Sequence, residues 1–241
     1  HQPGFSPKML NLIYRYVIMI QMLSGDILGV LAVYLYVSIL LLFTEKILPE
    51  NEFLNRKILH LGVGNILFIL PLFDSRFAMA GLAAAPFILI TFLISPYSPF
   101  KTVSKTSSKG HRLGLVYYAI SWTILASLFF DDPVIIAVGI AAMSFGDGFA
   151  SIIGVKYGKR NYNISGDKKS MEGSTAMFIF TVLAITISLV YYGELSFTKL
   201  TIIPIVGLIA TVVEGTAPKG LDNLAVSLTA AFSYFFLVSL L

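Results

Sequence analysis

Asp147 stands between Gly146 and Gly148 near the end of an apolar run, and Lys156, Lys159, Arg160, Lys168 and Lys169 follow soon after it. On a helix, Ser144, Asp147, Ser151 and Gly154 share one face, because steps of three and four residues stack. Gly146, Ala150 and Gly154 form a small-xxx-small ridge that lets helices approach closely, and packing alone is one reading of these glycines. Asp147 is harder to dismiss. An acid inside a span is costly unless it faces a partner or water, and it marks a functional site by default. A carboxylate beside backbone bare of side chains suits a magnesium–phosphate complex, since Mg2+ takes oxygens from one or two carboxylates plus phosphate. The lysines have two readings. Lys156, Lys159 and Arg160 fit a topology signal, whereas Lys168 and Lys169 run straight into a helix start at Ser170, where free N–H groups bind phosphate. Ser170 and Ser174, one turn apart, add hydroxyl donors. Glu172 either favours the helix start electrostatically or holds metal.

Two further clusters carry chemistry. In "NRKILHLGVGN", residues 55–65, Arg56, Lys57 and His60 lie within one helical turn of each other. Snorkelling accounts for Arg56 and Lys57. It does not account for His60 inside an apolar run, which is either a hydrogen-bonded structural histidine or a phosphate contact. In "VVEGTAPKGLDNL", residues 212–224, Glu214 closes a span at its C-terminal end, where the helix dipole disfavours an acid, so it is a candidate metal or base residue. Asp222 or Asn223 could simply cap the last helix.

These residues need a scaffold, and the composition says which kind. The 241 residues are 56% hydrophobic and 12% charged, against about 25% charged in soluble domains. Mean hydropathy is +0.83. Such a chain cannot cover itself for water and belongs in a membrane. Cysteine is absent, so disulfides and thiolate metal sites are excluded, and the first residues show no cleavable signal pattern. Apolar runs of span length predict an all-α polytopic bundle with eight transmembrane helices, over 26–44, 57–73, 76–95, 113–130, 133–153, 174–192, 200–214 and 224–241. Residues 1–23 are expected to hold an interfacial or partial helix over 8–23, and 1–241 to form a single catalytic domain. Strands are disfavoured, because the runs lack strict alternation. With eight spans, all of the 17 Lys and Arg except Lys8, Arg15, Arg76 and Lys199 fall on one side. That excess marks the cytoplasmic face, and His60, His111, Asp147, Glu172, Glu214 and Asp222 share it. The basic loop over 95–112 is either a mobile lid or a solvated topology signal.

The stretch "GDGFASIIGVKYGKRNYNISGDKKSMEGSTAMF" resembles the signature of the CTP-dependent polyprenol kinase family, the phytol, farnesol, dolichol and diacylglycerol kinases. Its pattern falls on Gly146, Asp147, Ala150, Gly154, Gly158, Tyr162, Asn163, Lys169, Ser170, Gly173 and Ser174. The family's earlier "RK-x-x-H" resembles Arg56, Lys57 and His60, and its late acid with "DN" resembles Glu214, Asp222 and Asn223. The resemblance implies a membrane kinase that uses CTP and Mg2+ to phosphorylate an isoprenoid alcohol, with no nucleic-acid partner. It implies catalytic roles for Asp147, Glu214 and His60, and metal binding by Asp147, Glu214, Asp222 and Glu172. Gly146, Gly148 and Gly173 would admit the triphosphate, and Arg56, Lys57, Lys168, Lys169, Ser170, Ser174 and Asn223 would grip the nucleotide. The "YN" element is similar to the phytol and farnesol branch and "KSMEGS" to the dolichol branch, which leaves the alcohol open. The oligomeric state is not legible. CDP-lipid synthases also join CTP to a membrane lipid, but their paired-Asp signature is missing. A secondary transporter would place its acids near the midplane, not on one face.

Overall fold

A computed structural model describes residues 7–46, 52–98, 113–164, 168–218 and 220–240. Most of the basic loop expected over 95–112, His111 included, lies outside the described residues. The fold is an all-α polytopic bundle. Among the described residues six stretches are long and apolar enough to cross a membrane, namely Leu23–Thr44, Phe53–Leu72, Pro133–Tyr157, Met171–Tyr191, Phe197–Thr216 and Asp222–Ser239, and Phe77–Leu93 and Gly114–Phe129 are shorter apolar helices. Together they coincide with the eight runs read from the sequence.

The stretch over 8–23, expected as an interfacial or partial helix, is helical and continuous with the first span. Helix α1 runs unbroken from Pro7 to Lys46, about 60 Å at 1.5 Å per residue. Its only proline is Pro7 in the first turn, where the missing N–H costs nothing, and Arg15 interrupts hydropathy without interrupting the helix. Helix α2, Glu52–Val63, tightens into 3-10 turns over Gly64–Phe68 and Leu70–Leu72, as expected where Pro71 withdraws a backbone donor. A π-helical segment, Phe77–Ala84, leads into α3, Ala85–Leu93, and α4 spans Gly114–Phe129.

The span Pro133–Tyr157 forms the centre. It comprises α5 (Pro133–Ala141), a π-helical stretch Ala142–Asp147, and α6 (Gly148–Tyr157). Across an 18-residue apolar stretch of it 78% of the residues are buried, against 22% across the matching stretch of Leu23–Thr44. This explains why its sequence is apolar on every side rather than amphipathic. Around it stand α4, α7 (Met171–Tyr191) and α9 (Asp222–Ser239), with α8 (Phe197–Thr216) against α7 and α9, and α1 against α2 and residues 77–84.

Between α6 and α7 the chain makes a short antiparallel hairpin that the sequence reading does not contain. Strand β1, Asn161–Asn163, pairs with β2, Lys168–Ser170, placing Asn161 opposite Ser170 and Tyr162 opposite Lys169. Three ties hold it to α7. Met171 N–H donates to the Arg160 carbonyl at 2.9 Å. The Tyr162 and Ser174 hydroxyls are bonded at 2.6 Å. Glu172 accepts from the backbone N–H groups of Lys159 and Arg160.

Candidate functional site

Asp147 ends the π-helical stretch, a wide turn of the kind that recurs at functional sites. It is 4% exposed. Its Oδ2 accepts from Lys57 Nζ at 3.1 Å and lies 3.5 Å from His60 Nε2. His60 Nε2 is also 3.0 Å from the Met143 carbonyl, and its ring meets the edge of Tyr118 with centroids 5.4 Å apart. Tyr118 is in turn bonded to Ser144 at 2.8 Å. Thus α2 and the central helix share a buried cation, carboxylate and imidazole. A lone charge at membrane depth costs about 3 kcal/mol on insertion scales, so this pairing is what lets Asp147 be there.

The second group comes from the hairpin and the last two helices. Lys169 donates to Glu214 Oε1 and stands 3.8 Å from Asp222 Oδ2. Burial works against the Lys169 ammonium, but Glu214, followed by Asp222 and Asp147, outweighs it and raises the pKa above the usual lysine value. Lys169 therefore stays charged through the neutral range. Glu214 and Asp222 are 4% and 2% exposed.

Both groups meet at one cavity of about 540 Å3, whose walls include Arg56, Lys57, Ser151, Gly154, Lys168, Lys169, Ser170, Gly173, Ser174, Glu214 and Asp222. Three separated stretches of sequence thus converge on one polar space, although His60 and Asp147 are not on its walls. Four cations face two carboxylates on its walls, with Asp147 behind Lys57, and the surplus suits an anion. At the rim, Ser170 caps α7 by accepting from the Gly173 N–H at 3.1 Å.

The expected residues divide into those that reach this space and those that do not. Gly146 and Gly148 serve helix packing: a Cβ at 146 would collide with Thr181 Oγ1, and one at 148 would come 2.6 Å from Leu61 Cδ2. Gly173 lines the cavity, and it also packs closely on α6, where a Cβ would come 3.0 Å from the Ala150 carbonyl. Glu172 is turned to the hairpin backbone and is absent from the cavity walls, so its geometry is that of a loop tie rather than a metal ligand. Asn223 is buried and donates to the Gly114 carbonyl at 2.9 Å. Phe53, Val155 and Asn161 also line the cavity without having been singled out. Asn161 lies where the chain turns from α6 into the hairpin, and no periodicity marks that turn.

Among the described residues no three His, Cys, Asp or Glu side chains cluster as a protein-only metal cage. Glu214 and Asp222, converging on Lys169 beside open space, nevertheless fit Mg2+. That ion characteristically takes one or two carboxylates and completes its shell with phosphate and water.

The phytol kinase of Synechocystis is 29% identical over 181 residues, 73% of this chain and 76% of that protein. A Triticum aestivum protein named "Probable phytol kinase, chloroplastic" is 32% identical over 213 residues, 80% of this chain and 70% of its own. Phytol kinase 1 of Arabidopsis thaliana, also chloroplastic, is 32% identical over 197 residues, 73% of this chain and 64% of its own. No protein-family profile and no solved structure matches the chain.

Proposed function

The chain belongs to the phytol kinase family, and from that premise we propose that it transfers the γ-phosphate of CTP to the hydroxyl of a phytol-type isoprenoid alcohol at the cytoplasmic membrane face. The observation that carries this reading is the cavity itself, a polar space within a membrane bundle with buried carboxylates and cations on its walls. Phosphoryl transfer asks little covalent chemistry of a protein. It asks for positioning and charge stabilisation.

In this reading Arg56, Lys57, Lys168 and Lys169 bind the triphosphate, and the Ser170 start of α7 supports it. Glu214 and Asp222 would hold Mg2+, which supplies charge neutralisation at the phosphates when bound. The alcohol oxygen attacks the γ-phosphorus. A new O–P bond forms as the bond from the γ-phosphorus to the β-bridging oxygen breaks, giving an alkyl monophosphate and CDP. Asp147 with His60 takes the hydroxyl proton. The contact of Asp147 with Lys57, a cavity-wall residue, and of His60 with Asp147 supports this role, close to the proposed phosphate site and out of bulk water.

The test is direct. Purified protein in lipid nanodiscs is given CTP labelled at the γ-phosphate and a panel of isoprenoid alcohols, beside a reaction with α-labelled CTP and a phosphorylated lipid. Label appearing on the alcohol from the γ position supports the proposal. Label transferred only from the α position would identify a nucleotidyl transferase instead.

A further inference from the structure

His60 belongs to two spaces at once. On one side its Nε2 faces the Asp147 carboxylate and, through it, Lys57 on the wall of the polar cavity. On the other, its ring lines a second space enclosed by α1, α2, α3 and α4, whose walls include Val37, Leu59, Ile90, Ala119 and Trp122. That groove is apolar throughout, apart from His60, Tyr118 and Thr91. Thr91 Oγ1 is turned onto its own helix, bonded to the Phe87 carbonyl at 2.5 Å. Tyr118 is tied to Ser144 and packed on His60. The groove is therefore dry throughout, and His60 is the wall residue whose ring backs onto the Asp147 group. A nucleotide has no partner in such a space, whereas an isoprenoid chain matches its apolar walls and would bring its hydroxyl to the His60 side.

We infer that this groove seats the first isoprene units of the alcohol, with the hydroxyl at the His60–Asp147 end, where it meets the γ-phosphate. The assignment rests on the kinase reading above and names where its lipid substrate lies. Size sharpens it. The groove holds about 70 Å3 against about 540 Å3 for the polar cavity, so it takes a short length of chain and not a whole tail. Ile90, at its edge, is 38% exposed on the bundle's outer surface, which gives the rest of the tail a way into the bilayer. Selection therefore acts on the units nearest the hydroxyl, and overall chain length matters little.

Two measurements test this. In the first, a phytol analogue with a diazirine on its second isoprene unit is photolysed with the wild-type protein in nanodiscs, and labelled peptides are mapped. Label within 85–93 and 114–129 is expected, competed by unlabelled phytol. Label confined to α7 or α8 would overturn the groove whatever the activity. In the second, Ala119→Leu narrows the groove and Ile90→Ala widens its edge, each checked for an unchanged melting temperature. Ala119→Leu should raise KM for the alcohol about tenfold, the usual scale for added bulk in an apolar pocket, and leave KM for CTP unchanged. Ile90→Ala, at a partly exposed site that tolerates truncation, should relax discrimination between alcohols branched and unbranched near the hydroxyl. Wild-type turnover of phytol with both variants kinetically silent removes the groove and leaves the kinase reading intact. A wild-type protein that phosphorylates no isoprenoid alcohol removes both.

Discussion

At one end of the bundle Arg76 pairs with Asp131 at 2.5 Å while their side chains remain 52% and 80% exposed; at the other, Lys57 pairs with Asp147 at 3.1 Å with only 6% and 5% exposed. The residue types are alike and the physical situations are not. Exposed pairs are worth about 0–1 kcal/mol and are screened by salt. Buried pairs carry a desolvation penalty that their attraction repays only in favourable geometry, and apolar replacements of similar volume often match or exceed them in stability. The Arg76 end thus spends little on its charges, joining the loop near residue 75 to the one near 131. The Asp147 end keeps Lys57, Asp147, Lys169, Glu214 and Asp222, together with Arg56, buried or half-buried, where a packing solution would have done as well for stability. The contrast assigns the buried charges to chemistry and the exposed ones to loop closure, and it can be broken by mutation.

The largest effect is expected for Asp147→Asn. The substitution keeps the shape but leaves buried Lys57 without its counter-ion and His60 without its carboxylate, so a folded protein with a lowered thermal transition is expected. Turnover should fall by about 100-fold or more, the scale for removing one group that acts on developing charge. Near-normal kcat in a folded variant would return Asp147 to the structural class of Asp131.

Next comes Lys169→Ala. Glu214 and Asp222 would then face each other without the cation that both now contact. A charge-assisted contact to phosphate is worth roughly 1.5–3 kcal/mol, so KM for CTP should rise by about tenfold or more while KM for the alcohol moves little. The raised pKa of Lys169 adds a signature: the wild-type KM for CTP should show no step from this residue across the neutral pH range. Equal changes in both Michaelis constants, with a lowered melting temperature, would make Lys169 structural.

How much of this was legible beforehand follows the same divide. Long apolar runs announce their spans through hydropathy, which depends on composition alone, so all eight helices could be read. The burial of Asp147, Glu214 and His60 could be read too, because each breaks an apolar pattern at a cost that needs a reason. Gly146 and Gly148 could not be resolved, since a glycine that admits a ligand and one that admits a neighbouring helix are the same letter; only Thr181 and Leu61 decide. Glu172 was ambiguous for a related reason. Its oxygens go to the N–H groups of Lys159 and Arg160, and that tie exists only because the hairpin folds back. Three-residue strands carry too little alternation to be seen.

A smaller effect is expected at Tyr162, which belongs to neither class of charge yet couples the hairpin to the site. Its hydroxyl bonds Ser174, a cavity-wall residue, and a Cβ at Gly215 would come 2.7 Å from it. Tyr162→Phe removes one hydrogen bond worth about 1 kcal/mol and leaves the ring in place. Steady-state kinetics should show KM for CTP rising severalfold with kcat nearly intact. A loss of kcat as large as that of Asp147→Asn would mean that the hydroxyl itself touches the reacting groups.

The smallest effect is the one that sharpens the contrast most. Arg76→Ala deletes an ion pair that looks, on distance alone, tighter than Lys57–Asp147. If distance decided worth, Arg76→Ala would be the more damaging change. Exposure argues the opposite: water already solvates both partners, Asp131 is left hydrated rather than stranded, and the loop beneath keeps its own ties. Asp26 accepts from the backbone N–H groups of Asp74 and Ser75, both at 2.9 Å, and from the Ser75 hydroxyl at 2.6 Å. Stability should change by no more than about 0.5 kcal/mol, and both Michaelis constants should stay at wild-type values, as read by thermal unfolding in detergent and by the labelled-CTP assay. Raising the salt concentration should reproduce whatever small change the mutation makes, because screening removes the same attraction. A destabilisation well beyond that, insensitive to salt, would show that the Arg76 end is also built on charge, and the division between the two ends would fail.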